Sequence, residues 1–230
     1  MHYFCTVPNW MRDLNRQIME KNISTVIFDF GNVLIDLDIP AFDRNIQELT
    51  GLDTADVPGI LGKSIAAYER GEISTELFIN HIIRHSRRSI QARDIIQGWN
   101  SMLLGIRPEI LTLLKILKDQ YQTYILSNTN PLHIQWVHQH LLASHGVSDF
   151  EKNFLHGAFY SHQLKLSKPN PEVYKSVTDR LGVAPERILF LDDLEENVAG
   201  ARLYGWNAII HQPGTPLENS LRSFIRVPES

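Results

Sequence analysis

Cysteine is nearly absent: Cys5 is the single thiol in 230 residues. One thiol excludes an internal disulfide framework and gives no reason to expect an oxidising compartment. Long apolar runs are missing too, since none comes near the ~20 residues that span a bilayer. No excess of positive charge stands out, with 22 Lys and Arg against 26 Asp and Glu and a formal net charge of −4. That balance argues against a nucleic-acid partner or an anionic membrane surface. Internal repeats, low-complexity tracts and long Pro/Gly/Ser linkers are also lacking. Met1 to Lys21 holds no apolar h-region and is interrupted by Arg12, Asp13, Arg16 and Glu20. No secretory signal is expected there, only an N-terminal extension that carries Trp10. These features fit a soluble, cytoplasmic chain, and both monomer and homodimer are compatible with them. A chain of this length buries roughly 70% of its unfolded surface without any staple, as one large domain or one domain carrying an insertion.

What is present is a contrast between short strand-like runs and longer helical periods. Thr25–Phe28, Thr123–Leu126, Gly157–Tyr160, Ile188–Leu191 and Ala208–Ile210 are short, apolar and rich in β-branched or aromatic residues. Such runs suit strands covered on both faces, as in a parallel sheet. Helices separate most of them. Pro108 opens one that carries Ile110, Leu113, Leu114 and Leu117, and Pro171 opens one that runs to Gly182. Asn197 to Tyr204 reads as another, closed by Gly205. The alternation predicts a doubly wound α/β fold with a parallel sheet.

Residues 38–105 read differently. Phe42, Ile46 and Leu49 follow Pro40 at helical spacing, and Ile60, Leu61, Ile65 and Tyr68 precede Gly71. Leu77, Phe78 and Ile82 follow a Ser74 cap, and Ile95, Ile96, Trp99 and Met102 make a fourth helix. No strand is predicted in this stretch. The expectation is a small all-helical cap over residues 38–105, inserted after the first strand of a core made of residues 22–37 and 106–230.

Ligands of an open parallel sheet bind beyond the carboxyl ends of its strands. Asp29-Phe-Gly-Asn32 follows the first run, Ser127-Asn-Thr-Asn130 the second and Asp192-Asp193 the fourth, while Lys165-Leu-Ser-Lys168 lies in a loop before a helix. Three carboxylates, a hydroxyl and a lysine are thus expected on one edge. Carboxylate oxygens suit a hard cation such as Mg²⁺. A hydroxyl, a lysine and backbone N–H groups suit phosphoryl oxygens, and a carboxylate turned towards phosphorus is a nucleophile. Each piece has a plainer use alone: a turn Asp, an ordinary loop, a solvated lysine, a helix cap at Asp192-Asp193. Together, in this order at one edge, they point to chemistry.

Phe28-Asp-Phe-Gly-Asn-Val-Leu34, Leu126-Ser-Asn128, Lys168-Pro-Asn-Pro-Glu-Val-Tyr174 and Phe190-Leu-Asp-Asp-Leu-Glu-Glu-Asn197 resemble the four ordered motifs of the haloacid dehalogenase-like (HAD) hydrolase superfamily. The likeness covers about residues 22–212 and includes Tyr68–Ser74, similar to a stretch of helical-cap members. Within the superfamily it is to bacterial sugar-phosphate phosphatases of the α-D-glucose-1-phosphate phosphatase type. The resemblance implies a Mg²⁺-dependent phosphatase acting on a small phosphate ester. It makes Asp29 the nucleophile, and places Mg²⁺ on Asp29, the Gly31 carbonyl and Asp193, with Asp192 and Asn197 behind. Asp29, Phe30, Gly31, Ser127, Asn128 and Lys168 would surround the phosphate, Asn128 through its backbone. Ser127 would bond a phosphoryl oxygen and Lys168, preferred over Lys165 by motif register, would neutralise charge.

One departure stands out. Most phosphatases of this superfamily carry an acid two residues after the nucleophile, where this chain has Gly31. General acid–base help is typically worth ~10²–10⁴ in rate, so its loss favours good leaving groups such as anomeric or acyl phosphates. Asn32 is placed to orient a leaving group or a water, or serves only the turn. Two alternatives stay open: a metal-independent 2-haloacid dehalogenase, against which the paired acids Asp192 and Asp193 speak, and an inactive binding module. His133, His138, His140 and His145 form no zinc signature. Arg84, Arg87 and Arg88 read as a solvated helix end, and Tyr68, Glu69 and Arg70 are candidates for the cleft beneath the cap.

Overall fold

The computed structural model describes residues 23–53 and 55–227, so the expected extension over residues 1–21, with Cys5 and Trp10, lies outside the described residues. The chain opens with β1 (Thr25–Phe28) and β2 (Asp36–Leu37), then α1 (Ile39–Thr50), α2 (Val57–Glu69), α3 (Thr75–His85) and α4 (Ala92–Asn100). Next come β3 (Leu103–Gly105), α5 (Pro108–Lys118), β4 (Gln122–Ser127), α6 (Pro131–His145), α7 (Phe150–Phe154) and β5 (Gly157–Tyr160). The last part holds α8 (Ser161–Leu164), α9 (Pro171–Leu181), β6 (Ile188–Asp192), α10 (Glu195–Leu203), β7 (Asn207–Ile210) and α11 (Leu217–Leu221).

The apolar runs form one five-stranded sheet of order β5-β4-β1-β6-β7, and every pairing in it is parallel. Side-chain alternation explains why continuous apolar runs were needed. Val26, Phe28, Leu189 and Leu191 enter the apolar cluster on one face, while Ile27, Ile188 and Phe190 enter the cluster on the other. All seven are 0% exposed, so both faces are covered. Burial of each such side chain contributes roughly 1.5–3 kcal/mol. Helices α5, α6 and α11 supply Leu114, Leu141 and Leu221 to the first cluster, and α9 and α10 supply Tyr174 and Val198 to the second. The doubly wound α/β fold expected from the sequence is therefore present. Among the described residues no helix is long and apolar enough to cross a membrane.

Helices α1 to α4 gather a third cluster containing Leu61, Tyr68, Phe78, Ile82, Ile95 and Trp99, to which α6 adds Leu132. Capping follows the sequence: the Asp38 carboxylate accepts from Ala41 N at 2.9 Å and the Ser74 hydroxyl from Leu77 N at 3.2 Å. Two expectations need correction. Residues 38–105 are not free of strands, because β3 pairs antiparallel with β2, Asp36 against Gly105 and Leu37 against Leu103. Strands of two and three residues are too short for a period to register in sequence. The fourth helix stops at Asn100, and the Met102 carbonyl instead accepts from Asp38 N at 2.8 Å, tying the two chain crossings together. Helix α10 begins two residues earlier than read, at Glu195.

Candidate active site

The central strand places the first group. Phe28 pairs with Ile125 on one side and Leu191 on the other, so Asp29 emerges between the ends of β4 and β6. Its N–H donates to the Leu191 carbonyl at 2.7 Å, extending the ladder by one bond. Ser127 ends β4 and Asp192 ends β6, and both are buried. Because β1 is where the strand order reverses, this edge is the crevice at which open α/β sheets take ligands.

The buried Lys168 ammonium joins two of the acids, donating to Asp29 Oδ1 at 2.7 Å and to Asp192 Oδ2 at 2.6 Å. Its own placement depends on the loop after β4. Asn128 Nδ2 donates to the Lys168 carbonyl at 2.9 Å and Asn128 Oδ1 accepts from Lys168 N at 2.9 Å. The side chain of Asn128 thus clamps the lysine, beyond the backbone role expected of it. The Lys168–Pro169 peptide is cis. Lys165, the rival lysine, sits elsewhere and donates to the Gly71 carbonyl on the insertion.

Asp192 is fixed by several donors. Besides Lys168, Leu194 N donates to its Oδ1 at 2.9 Å, and Asn197 Nδ2 lies 3.0 and 3.1 Å from its two oxygens. It therefore shapes the turn into α10 through Leu194 N, although the helix itself has Leu194 at its N-cap and no side-chain cap bond. Asp193 accepts from Asn32 Nδ2 at 2.9 Å. Carboxylate oxygens of Asp29, Asp192 and Asp193 all lie within 4.8 Å of one another, the one such cluster of three or more His, Cys, Asp or Glu among the described residues.

Burial sets the protonation chemistry. Desolvation pushes the Asp29 carboxyl up from 3.8 to about 6, Lys168 opposes this and Asp192 adds to it. Burial disfavours the Lys168 ammonium, but Asp29 and Asp192 outweigh it and hold its proton more firmly than usual. Three carboxylates thus face one ammonium and leave surplus negative charge. Such an all-oxygen set with one cation already spent fits a small hard dication. Asn197 Oδ1 is a buried acceptor with no partner among the described residues.

The insertion reaches this edge through the loops after β4 and β5. Ser161 Oγ donates to the Glu69 carbonyl at 2.5 Å and lies 3.0 Å from the Thr129 carbonyl, while accepting from Thr129 N at 2.9 Å. Gly71 has φ +62°, and a side chain there would strike the His162 carbonyl, so glycine lets the two parts touch. Tyr68 does not line the cleft: it is 0% exposed, stacked on Phe78 at 4.3 Å and bonded to Thr75 Oγ1 at 2.9 Å. Arg70 pairs with Glu72 at 2.6 Å, and burial raises the Glu69 carboxyl. Arg87 pairs with Asp56 at 3.3 Å and Arg88 donates to the Glu48 carbonyl, both within the insertion, while Arg84 is exposed.

Sequence reading missed one junction, signalled only by the run Asn128-Thr-Asn130. Asn130 Oδ1 accepts from His133 N at 3.1 Å and from Trp99 Nε1 at 3.3 Å, joining the start of α6 to the insertion. His133 Nε2 donates to the Trp99 carbonyl at 3.2 Å while its Nδ1 accepts from Asn130 Nδ2 at 3.2 Å, a pattern only the neutral ring can make. Desolvation accordingly lowers His133 from 6.5 to about 4. Its contribution to stability is full above pH 6.5 and is lost as pH falls towards 4, because the unfolded ring protonates first. His133→Gln is expected to remove roughly 3 kcal/mol of acid-induced loss across that window. Denaturant titrations of both proteins at a series of pH values check it, and parallel curves would refute it.

A parallel sheet wound on both faces thus gathers three carboxylates and a buried lysine at its carboxyl edge, the architecture of an α/β protein with a charged site at its switch point. The chain belongs to the haloacid dehalogenase-like hydrolase family, whose model matches residues 23–205. A D-ribitol-5-phosphate phosphatase of Bacteroides thetaiotaomicron is 27% identical over 207 residues, covering 86% of this chain and 97% of the relative. A HAD family enzyme of the same organism, crystallised with magnesium and inorganic phosphate, is 28% identical with a TM-score of 0.77, covering 84% of this chain and 96% of that one. A HAD-like hydrolase of Porphyromonas gingivalis is 25% identical with a TM-score of 0.75, covering 84% and 93%.

Proposed function

We propose that this chain is a Mg²⁺-dependent phosphatase that hydrolyses a small sugar or sugar-alcohol phosphate through an aspartyl-phosphate on Asp29. The observation that carries this reading is the buried Lys168 bridging Asp29 and Asp192 beside a third carboxylate, Asp193. The relative named a D-ribitol-5-phosphate phosphatase supports the substrate class, and the magnesium and phosphate of the similar HAD enzyme support the cation.

Asp29, Asp193 and the Gly31 carbonyl would hold Mg²⁺, which when bound supplies a Lewis acid for the phosphoryl oxygens. The remaining work falls to the chain. Asp29 attacks phosphorus with its free oxygen, since Lys168 occupies Oδ1. The P–O bond to the substrate breaks, its electron pair leaves with the alcohol oxygen, and that oxygen takes a proton from water. Lys168, bonded to Asp29 and Asp192, offsets the negative charge that the phosphoryl group brings to these acids. Ser127 and the N–H groups of Phe30 and Gly31 orient the phosphoryl oxygens. Water then attacks the phosphorus of the aspartyl-phosphate, the P–O bond to Asp29 breaks with its electron pair returning to the carboxylate, and phosphate leaves while the hydroxide from the first step takes the water's proton. The insertion, residues 38–105, acts as a cap that shields the reaction from bulk water and selects the leaving group.

The test is phosphate release from hexose 1-phosphates, hexose 6-phosphates, ribitol 5-phosphate and an acyl phosphate, with and without Mg²⁺, beside 2-chloropropionate. Metal-dependent phosphate release is expected. Chloride release without metal and no phosphate from any ester would make the chain a dehalogenase, and a folded protein inert towards all of them would leave a phosphatase for a narrower substrate or a binding module.

Gly31 yields a gain-of-function prediction. A Cβ at Gly31 would come within 2.9 Å of Leu37 Cδ1, the movable end of a flexible side chain. Gly31→Asp restores an acid two residues after the nucleophile and is expected to raise kcat on primary alkyl phosphates by ~10²-fold, with little gain on anomeric ones. Steady-state kinetics on the two substrate types checks it; equal rates in both proteins would place the proton donor elsewhere.

A further inference from the structure

Among the described residues three non-glycine residues adopt positive φ, and Asn32, at φ 55°, is the one beside the candidate nucleophile. Asn tolerates this conformation better than most side chains, at a cost that something must offset. The loop that enforces it is tight. Asn32 N donates to the Ile35 carbonyl at 2.7 Å, and Leu34 N and Ile35 N both donate to the Phe30 carbonyl at 2.9 Å. In this left-handed turn the amide of Asn32 points across the sheet edge to the loop after β6. There its Nδ2 donates to Asp193 Oδ2 at 2.9 Å, a contact between residues 161 positions apart.

The three carboxylates are held by different kinds of donor. Lys168, a cation, engages Asp29 and Asp192, and Asn197 and Leu194 N add to the grip on Asp192. Asp193 is held by a neutral amide. A neutral donor fixes the rotation of a carboxylate without cancelling its charge, whereas a Lys or Arg there would compete with any cation for it. One oxygen is engaged and the other is left for a ligand bond.

We infer that Asn32 is a positioning residue for the cation site, orienting Asp193 through the Nδ2–Oδ2 hydrogen bond while leaving its charge available to Mg²⁺. The inference rests on the Mg²⁺-dependent reading above. It takes Asn32 away from the leaving group, the chemical role that the sequence offered for it. Outer partners of metal-ligating side chains typically contribute 10–100-fold to metal affinity.

Asn32→Gly separates the amide from the backbone, because glycine accepts positive φ without strain. Titration calorimetry with Mg²⁺ alone, on the full chain, is expected to show affinity about 10-fold or more weaker in Asn32→Gly than in wild type. Circular dichroism and the metal-free melting temperature should match between the two. At saturating Mg²⁺, kcat is expected to return close to the wild-type value, and the ratio of rates for an anomeric and a primary phosphate should not change. Unchanged Mg²⁺ affinity in a folded Asn32→Gly protein would overturn the inference, most directly if the ratio of rates moved instead. A wild-type protein that neither binds Mg²⁺ nor releases phosphate would sink the phosphatase reading itself, an outcome readable before any variant is made.

Discussion

Asp29→Asn is expected to lower phosphate release by at least ~10⁴-fold while leaving a folded protein. The amide matches the carboxylate in shape and still offers an oxygen to Lys168, so the geometry at the end of β1 survives. What disappears is the nucleophilic charge, and the neighbouring Asp192 is not placed to substitute. Asp192 is 0% exposed and locked by Lys168, Leu194 N and Asn197. Stability should move the other way. The folded carboxyl is raised from 3.8 to about 6, so between those values ionisation favours the unfolded chain, and above pH 6 the fold carries the full cost. A neutral Asn carries none of it. At pH 7.5 the variant is expected to melt at or above the wild-type temperature, the trade common where a strained charge serves activity. A melting temperature several degrees lower would mean that the Asp29–Lys168 pair stabilises the fold on balance.

Lys168→Met should damage both properties. The lysine side chain is 1% exposed and lies between side chains exposed by 12% at Asp29 and 0% at Asp192. Removing it leaves two carboxylates close together without their shared cation, and breaking a buried pair in this way typically costs ~3–5 kcal/mol. For a domain of this size that corresponds to a fall of roughly 6–20 °C in melting temperature. Like-charge repulsion should also push one of the two acids further towards its protonated form, removing the nucleophile at neutral pH. With the charge stabilisation lost as well, kcat should fall by at least ~10³-fold. Lys168→Arg is not conservative here, since the ammonium sits 5.3 Å from the Phe190 ring centroid in a slot shaped for a compact head group. Melting curves and single-turnover assays of both variants test this. A Lys168→Met protein as stable as the wild type would refute the electrostatic description of the site.

Much of this arrangement was legible because a parallel sheet makes its chemistry local in sequence. Each apolar strand is followed within a residue or two by what it presents: Asp29 after β1, Ser127 at the end of β4, Asp192 at the end of β6. Burial on both faces wrote the strands as continuous apolar runs, and prolines marked the starts of α5 and α9. What escaped notice depends on contacts between distant segments. The Asn128 clamp on Lys168 spans 40 positions and the Asn32 bond to Asp193 spans 161, and neither leaves a local pattern. Tyr68 was a cleft candidate beside Glu69 and Arg70, with nothing in the sequence to decide it, and its helix turns it into the apolar cluster with Phe78. The pair β2 and β3 is too short to announce itself, and the neutral ring of His133 follows from partners on two separate elements.

The most direct test of the phosphatase reading is to trap the intermediate. Wild-type protein is mixed with Mg²⁺ and its best phosphate ester, quenched in acid within the first turnover, and reduced with borohydride, which converts an aspartyl-phosphate to homoserine. Peptide mass spectrometry should then find homoserine at position 29 and nowhere else, absent when the ester is omitted. Phosphate released in a rapid first turnover with residue 29 still aspartate, or homoserine at position 192 or 193, would contradict the role given to Asp29.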